Sequence, residues 1–261
     1  MSILFSGDLH ASAGGEIHLI TKKTLIKRYG HRIYGGITHH IILGDAGFMW
    51  PHNKERDLHN YKVLSRRPFP ILCVIGNHEP ILGMSDVPEA DIGIGETVYQ
   101  INAKPFVAYL KRGKVYSIDG FRVLVLGGAL SVDKDYQQSK NTWWEQEYWT
   151  EKEKQDIFKL LDNEKSFDLV LSHTGPQHIN KLLFMAKNSY KNIADEVAEL
   201  NDDIHGRIQF HEWWCGHWHR DRYFYNTETN CGYQYLYRAT KIVDKVDDRL
   251  AIYNEFGNTE R

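Results

Sequence analysis

The sequence predicts an α/β protein of α+β character, on three observations. Short apolar runs typical of buried strands alternate with amphipathic helical stretches in the first third of the 261 residues. Beyond that, strands return in antiparallel order around an Asp119-Gly120 hairpin signal. Five of the apolar runs end abruptly in glycine or serine followed by carboxylate, amide or imidazole side chains. In open α/β sheets, ligand sites lie just beyond the carboxyl ends of strands, so chemistry is expected at those tips.

Ile3-Leu4-Phe5-Ser6 opens the sheet and runs into Gly7-Asp8-Leu9-His10. Asp8 and His10 are two apart, so in extended chain their side chains leave on one side. Residues 16–29 read as a helix closed by Gly30, and His39-His40-Ile41-Ile42-Leu43 as the next strand, ending in Gly44-Asp45. His39 and His40 lie at the far end from Asp45 and are expected to be structural. Residues 54–67 read as a second helix, and Ile71-Leu72-Cys73-Val74-Ile75 as a strand ending in Gly76-Asn77-His78-Glu79.

The pattern changes after Glu96. Strands are expected at 98–101, 114–118 and 121–126, the last ending at Gly127-Gly128. Residues 130–149 look irregular and rich in aromatics, and are expected to form a loop or lid. The Thr150-Glu151-Lys152-Glu153 capping box opens a helix through Leu161. Phe167 to Ser172 form a strand ending in His173. Two helical stretches, together 177–203, are expected as a cap over the site. Glu212-Trp213-Trp214-Cys215 then leads into Gly216-His217-Trp218-His219, which repeats the two-residue spacing of Asp8 and His10. The alternating tail supplies closing strands. With no linker or repeat, one domain over 1–261 is expected.

Composition narrows the function. Lys and Arg number 32 against 34 Asp and Glu, which argues against a non-specific nucleic-acid coat. Three cysteines without a C-x-x-C pair exclude a disulfide framework and point to a reducing, cytoplasmic setting. No signal peptide, membrane span or obligate protein partner is expected. A structural zinc site would prefer thiolates and four closed ligands. Here eight groups stand without a thiolate, enough for two metals that share a carboxylate.

The motifs D-x-H at Asp8 and His10, G-D at Gly44-Asp45, G-N-H-E at 76–79, the single histidine after Ser172, and G-H-x-H at 216–219 resemble those of the calcineurin-like metallophosphoesterases, in that family's order. The resemblance implies a four-layer α/β/β/α sandwich of two mixed sheets flanked by helices, with a binuclear metal centre at the strand ends. It implies Asp8, His10, Asp45 and His219 around one metal and Asp45, Asn77, His173 and His217 around the other, with Asp45 bridging. A hydroxide between the metals would attack the phosphorus, and His78 would act as general acid. Imidazole, carboxylate and amide ligands suit Mn, taken first, and also Fe, Zn, Ni or Co.

Departures from the family pattern matter too. Phe48 stands where many members carry an Asp that pairs with the acid histidine and purple acid phosphatases a metal-binding Tyr, and Met49 and Ile75 stand where phosphoprotein phosphatases carry arginine. Lys134, Arg207, Arg220 and Arg222 are the candidate substitutes. The expected substrate is a phosphodiester, a nucleotide or single-stranded nucleic acid, because Trp218 lies between two ligands and Trp143, Trp144 and Trp149 lie in the expected lid, where bases could stack. Trp218, Arg220 and Lys134 are the candidate substrate contacts. The alternatives are a phosphomonoesterase acting on a small organic phosphate or phosphoprotein, and a catalytically silent metal-binding scaffold.

Overall fold

A strand covered on both faces must be apolar at successive positions, and β1 (Ser2–Ser6) and β3 (Ile71–Cys73) are buried at every residue. The computed structural model describes residues 1–10, 21–48, 68–84, 86–104, 106–184, 195–246 and 249–253, with positions 55, 58, 59 and 62. β1, β2 (Ile37–Ile42) and β3 run parallel, with Phe5 opposite Ile41 and Ile41 opposite Leu72. β6 (Val107–Leu110) continues this parallel set, and β5 (Val98–Asn102) and β4 (Glu89–Ala90) add antiparallel strands beyond it. On the other side of β1 lie β13 (Thr240–Val246) and β14 (Arg249–Tyr253), both antiparallel, which makes eight strands.

The second sheet has six. β8 (Phe121–Val125), β9 (Ser166–Leu171), β10 (Gln209–Cys215) and β12 (Cys231–Tyr235) are parallel neighbours. β7 (Lys114–Ile118) and β11 (Arg222–Asn226) close its edges antiparallel. The β7–β8 turn has φ of 53° at Asp119 and 80° at Gly120, the doubly positive geometry that favours this dipeptide.

Alternation along the strands decides the layers. Ile3, Phe5, Ile41 and Leu72 face Val123, Val125, Leu169, Leu171 and Trp214 between the sheets. Leu4 points outward to Leu25 and Tyr29 of the helix α1 (Lys22–Gly36). Leu124, Val170 and Trp213 face outward to Ile157 and Leu161 of α3 (Glu151–Asn163) and to Val197, Leu200 and Ile204 of α5 (Glu196–His205). Two mixed sheets flanked by helices result, as expected. Trp213 and Trp214 are fully buried, one on each face of β10. Truncating either to alanine should cost about 3–5 kcal/mol.

Several elements differ from the sequence reading. β4 and β6 were not expected. α1 is interrupted, not ended, at Gly30, where φ is 82° and ψ 164°. Residues 130–149 are not irregular: they hold α2 (Lys134–Ser139) and a 3₁₀ turn at Glu145–Glu147. Both hydrogen bonds of the expected capping box form, between Thr150 and Glu153. In the stretch 177–203, α4 (Gln177–Phe184) and α5 place Ile179, Val197 and Leu200 in the outer core of the second sheet. Residues 16–20, 185–194, Met49 and most of the helix expected at 54–67 lie outside the described residues. Among the described residues, no helix is long and apolar enough to cross a membrane.

Candidate metal centre

The expected site residues sit beyond the carboxyl ends of β1, β2, β3, β9 and β10, and the two sheets bring these tips together. Close approach requires glycine at the junctions. A Cβ on Gly76 would lie 2.1 Å from Asp45 Oδ1, and one on Gly216 would lie 2.1 Å from Asp8 Oδ1. The strand ends therefore leave room only for a neighbour's carboxylate. His10, Asp45, His217 and His219 all adopt positive φ, between 39° and 64°. Strain of this kind, of order 1–3 kcal/mol per residue, persists where the surrounding structure over-determines it.

Ligand-type atoms of Asp8, His10 and His219 lie within 4.8 Å of one another, as do those of His10, Asp45 and His78, and those of Asp8, Asp45 and His173. Asp45 joins these groups: its Oδ2 is 3.2 Å from His173 Nε2 and 3.8 Å from both His10 Nε2 and His78 Nε2. Asn77 Oδ1 meets His173 Nε2 at 3.1 Å, and the His217 backbone N–H donates to Asp8 Oδ1 at 2.9 Å. All seven expected ligands are thus gathered. His78 stands beside them, and its backbone N–H donates to Asp45 Oδ1 at 3.0 Å.

Burial governs the protonation of this cluster. It pushes His217 well below the usual imidazole range, with the nearby His173 adding to the effect, and it also lowers His10. Both rings are therefore neutral, with a lone pair to offer. Burial alone would lower His173 as well, but the Asp45 and Asp8 carboxylates outweigh it and hold His173 at about 10. Burial opposes the charge on Asp45, yet His173 and His78 hold it well below the carboxylate range.

Within this cluster, Asp8 Oδ2 and His217 Nε2 are buried and have no hydrogen-bond partner among the described residues. Unsatisfied buried polar atoms cost about 1–3 kcal/mol each. Atoms of this kind among carboxylate and imidazole groups fit divalent cations held by nitrogen and oxygen donors. The cysteines do not compete: Cys73 and Cys215 are buried, and burial raises both thiols well above their ordinary range.

A family model described as calcineurin-like phosphoesterase matches residues 1–221, which includes every one of these residues. The chain belongs to the calcineurin-like phosphoesterase family. It is accordingly a hydrolase of phosphoric esters, in a family that works with a pair of metal ions. Among solved structures it is similar to a dimetal phosphatase from Danio rerio, with 13% identity, a TM-score of 0.51, and coverage of 97% of this chain and 95% of that one. It is also similar to a phosphopantetheinyl hydrolase from Mycobacterium tuberculosis, with 14% identity, a TM-score of 0.46, and coverage of 90% and 89%. No curated protein matches the chain by sequence.

The expected substrate contacts of this phosphoesterase fare unevenly. Trp218 is half-buried, edge-on to His217 and to Phe184. Lys134 places its ammonium 4.2 Å from the Trp143 ring centre and 5.4 Å from that of Tyr148. Arg220 is exposed, as is Arg222 on β11, and Arg207 lies over Phe158. Trp149, expected in a lid, is buried instead and donates its indole N–H to Gly127 O. Phe48 is fully buried in an apolar cluster with Ile42 and Ile71.

Sequence reasoning missed the supporting residues. Glu79 takes N–H bonds from Gly76, Asp45 and Ala46 at 2.6–3.2 Å, and so ties the β2 tip to the β3 tip. Burial, and then Asp45, push its carboxyl up to about 8. Its place beside Asn77 and His78 was the available signal. Ser131, Glu147 and Asp221 carried none. Asp221 accepts backbone N–H bonds from Tyr237, Arg238 and Ala239, and Tyr237 stacks on His219 at 4.5 Å.

Proposed function

We propose that this chain hydrolyses phosphodiesters with two divalent cations, manganese first among them. Asp8, His10, Asp45 and His219 would hold one cation, and Asp45, Asn77, His173 and His217 the other. The observation that carries this reading is the position of Asp45 Oδ2, within 3.8 Å of His10, His78 and His173 alike. When bound, such cations offset charge on the phosphoryl oxygens and make water acidic enough to serve as a nucleophile near neutral pH. The chain's own contribution is to hold the donors on converging strand tips and to supply a proton. His78, partly exposed beside Asp45, would protonate the departing oxygen.

A diester is favoured because Lys134 and Arg207 lie over aromatic rings, which leaves Arg220 and Arg222 of the four candidate cations, with Arg220 next to His219 in sequence. A monoester carries more charge to neutralise. A nucleotide or single-stranded nucleic-acid end remains the preferred diester, with half-buried Trp143, Trp144 and Trp218 as stacking candidates. A reducing, cytoplasmic setting accords with three free, buried cysteines.

The test compares bis-p-nitrophenyl phosphate with p-nitrophenyl phosphate under manganese. The diester should show a kcat/KM about tenfold higher or more. The reverse order would make the chain a monoesterase, and silence on both at verified metal content would make it a scaffold. His78→Ala should lower kcat by about 10²–10³ with metal content intact. Loss of metal would instead make His78 a ligand.

A further inference from the structure

An amide can serve a cation only through its oxygen, so an Asn ligand needs something to decide which end points inward. We propose that Ser131 and Glu147 form a hydrogen-bond relay that orients the Asn77 side chain with its oxygen toward the cations. The inference rests on the ligand role proposed for Asn77.

All three side chains are buried. Asn77 Nδ2 donates to Ser131 Oγ at 2.9 Å, and Ser131 Oγ donates to Glu147 Oε2 at 2.5 Å. The Ser131 backbone N–H also points at the same carboxylate, 3.4 Å from Oε1. The direction of the chain of bonds follows from its far end. A carboxylate only accepts, so the single hydroxyl proton of Ser131 is committed to Glu147. The Ser131 oxygen can then only accept, and the group of Asn77 that faces it must be the NH₂. Oδ1 is left on the opposite side, 3.1 Å from His173 Nε2. Without Glu147, the hydroxyl could turn and donate to Oδ1. That would swing the NH₂, which has no lone pair to give, into the cation site.

The relay has a frame of its own. The Gly128 N–H donates to Ile75 O at 2.8 Å, which ties the chain after β8 to the tip of β3 and brings Ser131 to Asn77. Glu147 is held between two gripped carbonyls. Arg112 donates through Nη1 to Gln146 O at 2.9 Å and through Nη2 to Tyr148 O at 2.8 Å, while Glu153 takes bonds from the same guanidinium at 2.7 and 2.8 Å. A segment that reads as a loose lid in sequence is here the support of a ligand.

The test titrates Mn²⁺ calorimetrically into metal-free protein, together with steady-state kinetics on bis-p-nitrophenyl phosphate. Ser131→Ala and Glu147→Leu, which leaves no acceptor for the hydroxyl, should each weaken one of the two cations about 10–100-fold and leave the other unchanged, the usual reach of an outer partner on a metal ligand. The kcat should fall while KM holds. Ser131→Thr, which keeps the hydroxyl, should bind both cations as the parent does. Parent affinity for both cations in Ser131→Ala and Glu147→Leu would overturn the relay. So would equal weakening of both cations without rescue by Ser131→Thr. If Glu147→Leu does not fold, the Ser131→Ala and Ser131→Thr pair decides alone. Asn77→Ala is the reference: if it leaves both affinities at the parent value, the ligand assignment fails and the relay falls with it.

Discussion

The rim and the floor of the candidate metal centre are built differently. At the rim, the His10 and His219 side chains are 36% and 48% exposed, and their Nε2 atoms meet each other at 2.9 Å. At the floor, Asp45, Asn77 and His173 are buried, and the protein holds each of them. His173 Nδ1 donates to Leu43 O at 2.8 Å, which leaves Nε2 facing Asp45. The Asn77 amide hangs from Ser131. Outer partners of this kind fix tautomer and orientation before a cation arrives. The lesson is that donors of similar chemistry need not be held alike. The floor is braced from behind by buried partners, whereas the rim rings of His10 and His219 stand partly in solvent.

The broadest way to break the comparison is to remove what both halves share. Asp45→Ala should strip both cations and lower activity at least about 10³-fold, since neither the charge offset nor the acidified water survives. Full occupancy of either position by metal analysis would show that Asp45 is not shared.

The comparison sharpens when one histidine is taken from each half. In metal-free protein, His173→Ala removes the nearest partner of the buried Asp45, 3.2 Å from its Oδ2, and should cost about 3–5 kcal/mol in urea unfolding. His219→Ala removes an exposed ring and should stay within about 0.5 kcal/mol, while weakening one cation about 10–100-fold. Equal destabilisation by the two substitutions would erase the distinction between rim and floor.

A smaller effect than that of His173→Ala belongs to a buried carboxylate outside the proposed ligand set. Asp195 caps α5 by accepting from the N–H groups of Val197 and Ala198, and burial pushes its carboxyl up to about 6. The folded state thus keeps this proton to higher pH than the unfolded chain, whose carboxyl titrates near 4. The stability it confers is complete below about pH 4 and is lost as pH rises through 6. Asp195→Asn retains a capping oxygen, so it should stabilise the protein by about 2 kcal/mol at pH 7 and by nearly nothing at pH 4. A benefit of equal size at both pH values would refute the assignment.

Much of this was legible in the sequence because the signals were local. Strand tips announced themselves by apolar runs cut short at Gly44, Gly76 and Gly216. The Asp119-Gly120 turn and the Thr150 cap needed only neighbouring residues to be read. β6 was harder. Its four residues are too few for periodicity, and it became a strand by lying between β3 and β5. Trp149 misled for a related reason: an indole in a sequence does not say whether it faces a base or, as here, the carbonyl of Gly127.

The sequence by itself determined most of the strands, most of the helices and the kinds of atoms placed at each strand end, because backbone periodicity and side-chain spacing act over a few residues. Only the tertiary structure decided which ends meet, which histidines stay wet, and that Ser131 and Glu147 reach Asn77. Those are matters of burial and of hydrogen-bond direction between segments distant along the chain, which no local pattern encodes.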